Sequence, residues 1–426
     1  MFCQLNRQSD TKTQSHYQRF LTGFIIFVLT FLLLFQLIYS FLFPSNGQTL
    51  AWQPIGQYLP KFTTESSDNF LLNKIYPLIS PRYRLNSDVG HYLELGRNFS
   101  KEYFANSPFL QRPLHPFLIF LASLPTKIFI PTSYGVIFGL SILLNFILIS
   151  AAVILFFLLL KELFSLKVAW LSSLLLIFSP YVHSYINQPL AEILMVFAVI
   201  LSCYLLYNYI KKPSTFKLIF FSLIVGIFML GKMFFALPIF ILLLAVCSKR
   251  YREGVAFLAV QLIPLLLWYL WVRQVWQIPY FVNEVQNWHY GVWLFELFNW
   301  PWQKTYQIFI NILPDFITAL TFSFLAIPVI LSVLGFQKLP FKSKNAIYFG
   351  SVFSVFLLGL LMGAYFIRHV FLLFPIIYPT AVLGMERLVK FSVFQAIIIG
   401  IIILISSINI YQIFNYNDFH YYLSGF

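Results

Sequence analysis

The chain has 426 residues, 60% of them apolar and only 10% charged, too few polar side chains to cover a water-soluble globule of this size, so a bilayer must be its solvent. A net charge of +14 would suggest nucleic acid in a soluble protein, but the cations fall mostly in short connectors between apolar runs, where they act as topology signals, and no nucleic-acid partner is expected. Cys3, Cys203 and Cys247 lie near or inside apolar runs with neither metal-ligand spacing nor a paired pattern, so no disulfide framework and no cysteine metal site is implied.

Residues 1–19 form an N-terminal tail, and the first apolar run, 20–43, is longer than a signal-peptide core and lacks a small-residue cleavage site, which predicts a retained anchor. A large polar loop follows over 44–133. Within it, Asp88 to Phe104 places His91, Glu94, Asn98 and Lys101 on one helical side and Val89, Tyr92, Leu93, Phe99 and Tyr103 on the other, the pattern of a helix lying on the bilayer surface. The run 114–130 is short and flanked or interrupted by Pro113, Pro116, Pro125 and Pro131, which favours a surface or re-entrant segment.

From there a multi-helix domain extends over 134–412, with apolar runs near 134–160, 167–182, 188–210, 216–231, 233–248, 254–274, 306–334, 345–366, 369–388 and 393–412. Gly231-Lys232 interrupts a stretch otherwise too long for one helix across a core of about 30 Å. A second external loop covers 277–304 and a short external tail 413–426. Runs of helix-spanning length, in place of the short alternating segments of a barrel, predict an all-α polytopic membrane protein of about eleven transmembrane helices with juxtamembrane helices in its first loop. Basic clusters at Arg7, Lys12 and Arg19; Lys161 and Lys167; Lys211, Lys212 and Lys217; Lys249, Arg250 and Arg252; Lys338, Lys342 and Lys344; and Arg387 and Lys390 can all face the cytosol together, with the N-terminus inside and both large loops outside. No internal repeat is evident, which disfavours transporters built from duplicated halves.

On the outer side this topology collects Asp88, Glu94, Arg112, His115, His183, Glu192, Lys232, Arg368 and His369. Glu192, Lys232 and Arg368 sit at span boundaries, where an unpaired charge near mid-bilayer costs roughly 2.5 to 3.5 kcal/mol, so something must compensate. A lipid-borne phosphate would, clamped by Lys232 as a point charge and by Arg368 as a fork. Asp88 could serve as general base for an incoming hydroxyl, while Glu192 could orient the acceptor or share a divalent cation with Asp88. Nucleotide-binding glycine loops, D-x-D and H-E-x-x-H patterns are missing from the sequence, which points away from nucleotide donors.

The string Ser87-Asp88-Val89-Gly90-His91-Tyr92-Leu93-Glu94-Leu95-Gly96-Arg97-Asn98-Phe99, followed by Arg112-Pro113-Leu114-His115-Pro116, resembles the first external loop of GT-C glycosyltransferases. Glu192, shortly after Ser179-Pro180, falls where those enzymes carry a second acidic residue. Gly226 to Phe235 resembles their G-x-x-x-L-x-K stretch, and Arg368-His369-Val370-Phe371-Leu372-Leu373-Phe374-Pro375 looks like their late R-Y-L-L-P-L-x-P helix start. The branch it is similar to contains protein O-mannosyltransferases and the lipid A aminoarabinose transferase. The resemblance implies a polyprenyl-phosphate sugar donor, a glycan, lipid or protein acceptor, inversion at the anomeric carbon, Asp88 as catalytic base or metal-associated carboxylate with Glu192 as the second catalytic acid, and substrate contacts from Arg112, His115, Lys232, Arg368 and His369. It further implies a bacterial inner membrane and an extracytoplasmic active site. Val89 stands where a second acid is usual and His369 where a tyrosine is, and no cofactor is assigned.

Each residue also has a plainer role. Asp88 could cap a helix, Glu192 could complement a helix dipole, Lys232 could snorkel from a hairpin tip, and Arg368-His369 could mark the membrane boundary. Arg112 and His115 could be companions of a proline-rich turn, while His183 and Glu94 read as solvated loop residues and Trp288, Trp293, Trp300 and Trp302 as an interfacial belt. A polytopic lipid or polysaccharide transporter, or a polysaccharide polymerase or ligase, is the competing class.

Overall fold

A computed structural model describes residues 2–42, 52–54, 84–105, 110, 112–129, 134–231, 251–279, 302–336, 370–388 and 392–408. Apolar runs become helices because a backbone in lipid has no water to bond, and polar residues mark their ends. The elements are α1 (Phe2–Leu42), β1 (Trp52–Pro54), β2 (Arg84–Asn86), α2 (Ser87–Arg97), α3 (Lys101–Ala105), α4 (Leu114–Phe129), α5 (Tyr134–Leu163), α6 (Leu166–Ile177), α7 (Pro180–Tyr185), α8 (Glu192–Lys211), α9 (Thr215–Met229), α10 (Tyr251–Leu270), α11 (Trp302–Phe324), α12 (Ala326–Phe336), α13 (Phe374–Leu388) and α14 (Ser392–Ile408). Ser165, Ser179 and Ser214 cap α6, α7 and α9, each accepting from a backbone N–H three residues on, and Pro180 follows its cap at the first helical position. β1 and β2 pair antiparallel, Trp52 opposite Asn86, and lead directly into α2.

Among the described residues, six stretches are long and apolar enough to cross a membrane: Phe20–Ser40, Gly135–Leu163, Leu166–Tyr185, Glu192–Lys211, Arg252–Val275 and Phe371–Leu388. The fold is therefore an all-α polytopic membrane fold, apart from the short ribbon. The expected runs 233–248 and 345–366, and nearly all of the second loop, lie outside the described residues. Helix α4 has 16 residues, about 24 Å of rise, and is not among the six. The run 306–334 is not one span. It divides into α11 and α12 at Leu325, whose φ of 66° lies in the left-handed region. Pro328 explains the break, because in a continuous helix its ring would clash with the carbonyl of Phe324, whereas in the first turn of a new helix it is tolerated. The amphipathic stretch Asp88–Phe104 likewise divides into α2 and α3, with Asn98, Phe99 and Ser100 between them and Ser100 Oγ donating to Glu102 at 2.6 Å.

Small residues let the spans approach closely. At Gly335 a Cβ would strike the Thr380 carbonyl, and at Gly384 the Leu331 carbonyl, so α12 and α13 cross backbone to backbone, with Ser332 and Thr380 hydroxyls bonded at 2.6 Å beside the crossing. Gly226 serves the same purpose between α9 and α10, against the Gln261 carbonyl. The aromatic centre stacks Tyr181 on Phe371 at 4.0 Å, with Phe324 at 5.3 Å on the same ring.

One end of the bundle gathers the cations. Lys161 Nζ reaches Thr22 Oγ1 at 2.7 Å, Lys211 pairs with Glu162 at 2.9 Å, Lys167 with Glu386 at 3.5 Å and with Gln395, and Tyr209 donates to Glu253. Those contacts tie the C-terminal ends of α5, α8 and α13 to the N-terminal ends of α6, α10 and α14 and to the start of the α1 span. The Lys161–Lys167, Lys211 and Arg387 clusters thus share one side.

Candidate active site

The other end carries a group of buried polar side chains of its own. The chain reaches it through a layer of aromatic side chains: Phe99, between α2 and α3, packs on Phe104, Phe117, Trp268 and Trp276, and Trp268 Nε1 donates to the Leu110 carbonyl at 2.8 Å. With Tyr92, Leu93, Leu95, Ile119 and Ile137 these form a second core that seats α2 on α4 and α5. Gly96 permits that seating, since a Cβ there would lie 2.6 Å from Ile119.

Helix α4 opens inside this layer. Arg112 is half-buried and precedes Pro113, and the Leu114 N–H donates to the Leu230 carbonyl at 3.2 Å, joining the start of α4 to the end of α9. His115 is fully buried, edge-on to the Tyr92 ring at 5.2 Å. Helix α5 contributes Asn145 and, one turn earlier on the same face, Ser141, both fully buried. Asn145 Nδ2 donates to the Gln188 carbonyl. Glu192 begins α8 and is 5% exposed, placed where the helix N-terminus favours a carboxylate.

Burial holds the His115 imidazole down to about 4, against smaller opposing effects of the Asn145 amide and the Glu192 charge. It is therefore neutral at physiological pH, with one ring nitrogen donating and the other accepting. The Asn145 amide stands beside the ring but is committed to Gln188, so no well-formed hydrogen bond joins them: both His115 ring nitrogens, Asn145 Oδ1 and Ser141 Oγ lack a partner among the described residues.

The connector between α6 and α8 is also buried. Gln36 of α1 bonds His183 Nδ1 at 3.1 Å, Tyr39 faces the same ring at 5.6 Å, and Asn187 Nδ2 donates to the Ser40 carbonyl at 3.0 Å. His183, expected as a solvated loop residue, is 1% exposed. The reason is that the last turns of α1 lie over this connector: the Gln36 amide meets the His183 ring, and Asn187 supplies a donor to the Ser40 carbonyl, which has no helical partner. Glu94 is exposed, as expected.

Of the residues singled out from the sequence, Arg112, His115 and Glu192 are thus brought to one end of the bundle. Asp88 is the second residue of α2, with its side chain outside the described residues. Lys232, Arg368 and His369 lie outside the described residues. Helix α9 does end at Met229, and Gly231, which precedes Lys232, sits where a Cβ would lie 2.8 Å from Leu194 in the first turn of α8. No group of three metal-ligating side chains occurs among the described residues. Sequence reasoning missed Ser141, Asn145, Gln36 and Asn187. The signal available was a polar amide inside or bordering an otherwise apolar run, which in lipid has to be accounted for.

Residues 111–272 match the family model of dolichyl-phosphate-mannose-protein mannosyltransferase. The matched stretch runs from just before α4 to the turn after α10, so it contains Arg112, His115, Glu192 and Lys232 and leaves Asp88, Arg368 and His369 outside. No curated protein matches the chain. Over those 162 of 426 residues the chain is similar to that family, and the match together with the helical polytopic fold supports a membrane glycosyltransferase of the GT-C type.

Proposed function

We propose that the protein transfers a sugar from a polyprenyl-phosphate donor to an acceptor hydroxyl on the side of the membrane opposite its basic end, with inversion of the anomeric centre. The observation that supports this most is the convergence of the starts of α4 and α8 with the end of α9 at the non-basic end, bringing Arg112, His115 and Glu192 together within the matched stretch. From Asn145 to Lys161 along α5 is about 24 Å, so this convergence stands most of a bilayer away from the cations of the other end. A transporter needs polar groups along a path to both faces; this grouping favours a reaction site on one face.

In the proposed reaction the acceptor oxygen attacks the anomeric carbon, its proton passes to the Asp88 carboxylate, and the bond from that carbon to the phosphate oxygen breaks, releasing polyprenyl phosphate. Lys232 and Arg368 are the cations assigned to the leaving phosphate, and Arg112 and His369 are assigned to further contacts with the donor. His115, neutral in its buried setting, is suited to hydroxyl contacts and not to neutralising phosphate. Glu192 orients the acceptor. Any divalent cation would be held by Asp88 and Glu192. A glycan, lipid or protein acceptor and residence in a bacterial inner membrane, with the N-terminus cytosolic, complete the proposal.

Membranes containing the Asp88→Asn variant, supplied with undecaprenyl phosphates carrying radiolabelled hexoses or pentoses, should lose sugar transfer by about 100-fold or more while the protein inserts at the normal level. Transfer at the unmodified rate would remove Asp88 from the chemistry.

A further inference from the structure

The buried groups at the head of α5 carry an assignment of their own. Ser141 and Asn145 are one turn apart on one helix face, both fully buried, in a helix whose only other polar residue before its basic end is Ser150. Ser141 does not bond back to the carbonyl one turn earlier, the usual refuge of a serine inside a helix, and Asn145 offers a free Oδ1 once its amide has gone to Gln188. His115 adds two ring nitrogens with no partner among the described residues, and its charge is suppressed by burial. Together these atoms offer two hydroxyl-type or amide acceptors, a hydroxyl donor, and an imidazole with one donor and one acceptor.

Such a set fits a neutral ligand bearing several hydroxyls in a low-dielectric setting, where each hydroxyl needs both to give and to accept. It fits an anionic group less well, because the charge that acts on His115 among the described residues is the Glu192 carboxylate. We infer that Ser141, Asn145 and His115 form a hydroxyl-recognition subsite that binds the sugar ring of the lipid-linked donor, separate from the residues that hold its phosphate. The inference rests on the glycosyltransferase reading above and adds α5, which no sequence motif marked, as a specificity-determining element. Tyr92, edge-on to His115, walls one side of the subsite.

The test uses the full-length protein in nanodiscs and reads lipid-dependent thermal stabilisation, with apparent Kd obtained for undecaprenyl phosphate alone and for the same lipid carrying glucose, mannose, galactose or an aminopentose. The wild type should prefer at least one sugar-bearing lipid over the bare phosphate. Ser141→Ala and Asn145→Ser should each weaken that lipid by about fivefold, the value of one neutral hydrogen bond, with no change toward the bare phosphate. Ser141→Ala removes one oxygen at nearly constant volume, so it remains informative where an Asn145 variant is unstable. A sugar preference that survives both substitutions, or both lipids weakened equally, overturns the subsite and leaves the glycosyltransferase reading standing. Binding of neither lipid by the wild type overturns both.

Discussion

Lowering the pH from neutral to about 5 should destabilise the protein through His115. Burial brings this imidazole from its ordinary value of 6.5 to about 4. Between those values the unfolded chain binds a proton that the folded chain refuses, so the contribution to stability is whole above the ordinary value and is lost as pH falls toward 4. One pH unit of difference corresponds to about 1.4 kcal/mol, which makes the loss about 2 kcal/mol at pH 5 and about 3 kcal/mol below pH 4. Glu192 is the charged group beside the ring, and its carboxylate already opposes part of the shift. The assay is the apparent thermal midpoint in detergent across pH 4.5 to 7.5 for the wild type and for His115→Asn, which keeps a small polar side chain but does not titrate. The midpoint of the wild type should fall by a few degrees more than that of the variant between pH 7 and pH 5. Superimposable profiles would show that His115 titrates normally and that its site is wet.

Gly384→Val should be among the most damaging single changes in the described helices, because the new side chain meets the Leu331 carbonyl and not a side chain that could turn away; about 3 kcal/mol or more of lost stability is expected, read as loss of monodisperse protein on size exclusion. Lys211→Met should leave the thermal midpoint nearly unchanged, since both Lys211 and its partner Glu162 are roughly half exposed, 54% and 49%; a clear loss of thermal midpoint would mean that the ion pair is shielded by something packed over it. Gln36→Leu should loosen the connector that leads to Glu192 by removing the His183 bond, raising the KM for a lipid-linked sugar more than it lowers kcat; an unchanged KM would detach α1 from the site.

The sequence by itself determined the solvent and which helix ends lie together. Runs of apolar residues long enough for a bilayer can only be helices, and lysines and arginines in the connectors place one set of ends together; Lys161, Lys167, Lys211 and Arg387 do meet their partners at one end of the bundle. Local chemistry carried Gly231, the stop of α9, and the candidacy of His115 and Glu192. What only the tertiary structure decided is who stands beside whom. His183 reads as a loop residue in the sequence and is buried because α1, some 147 positions earlier, lays Gln36 against it. Asn145 and Ser141 look like incidental polar residues in an apolar helix, and acquire meaning only when His115 and the Gln188 carbonyl arrive from other elements. Leu325 breaks a run that hydrophobicity alone joins, because hydrophobicity measures transfer into lipid and is blind to the carbonyl that Pro328 would strike. Periodicity reports which face of a helix is apolar; the partner of a buried polar atom depends on packing between segments distant in the chain, and no local pattern encodes it.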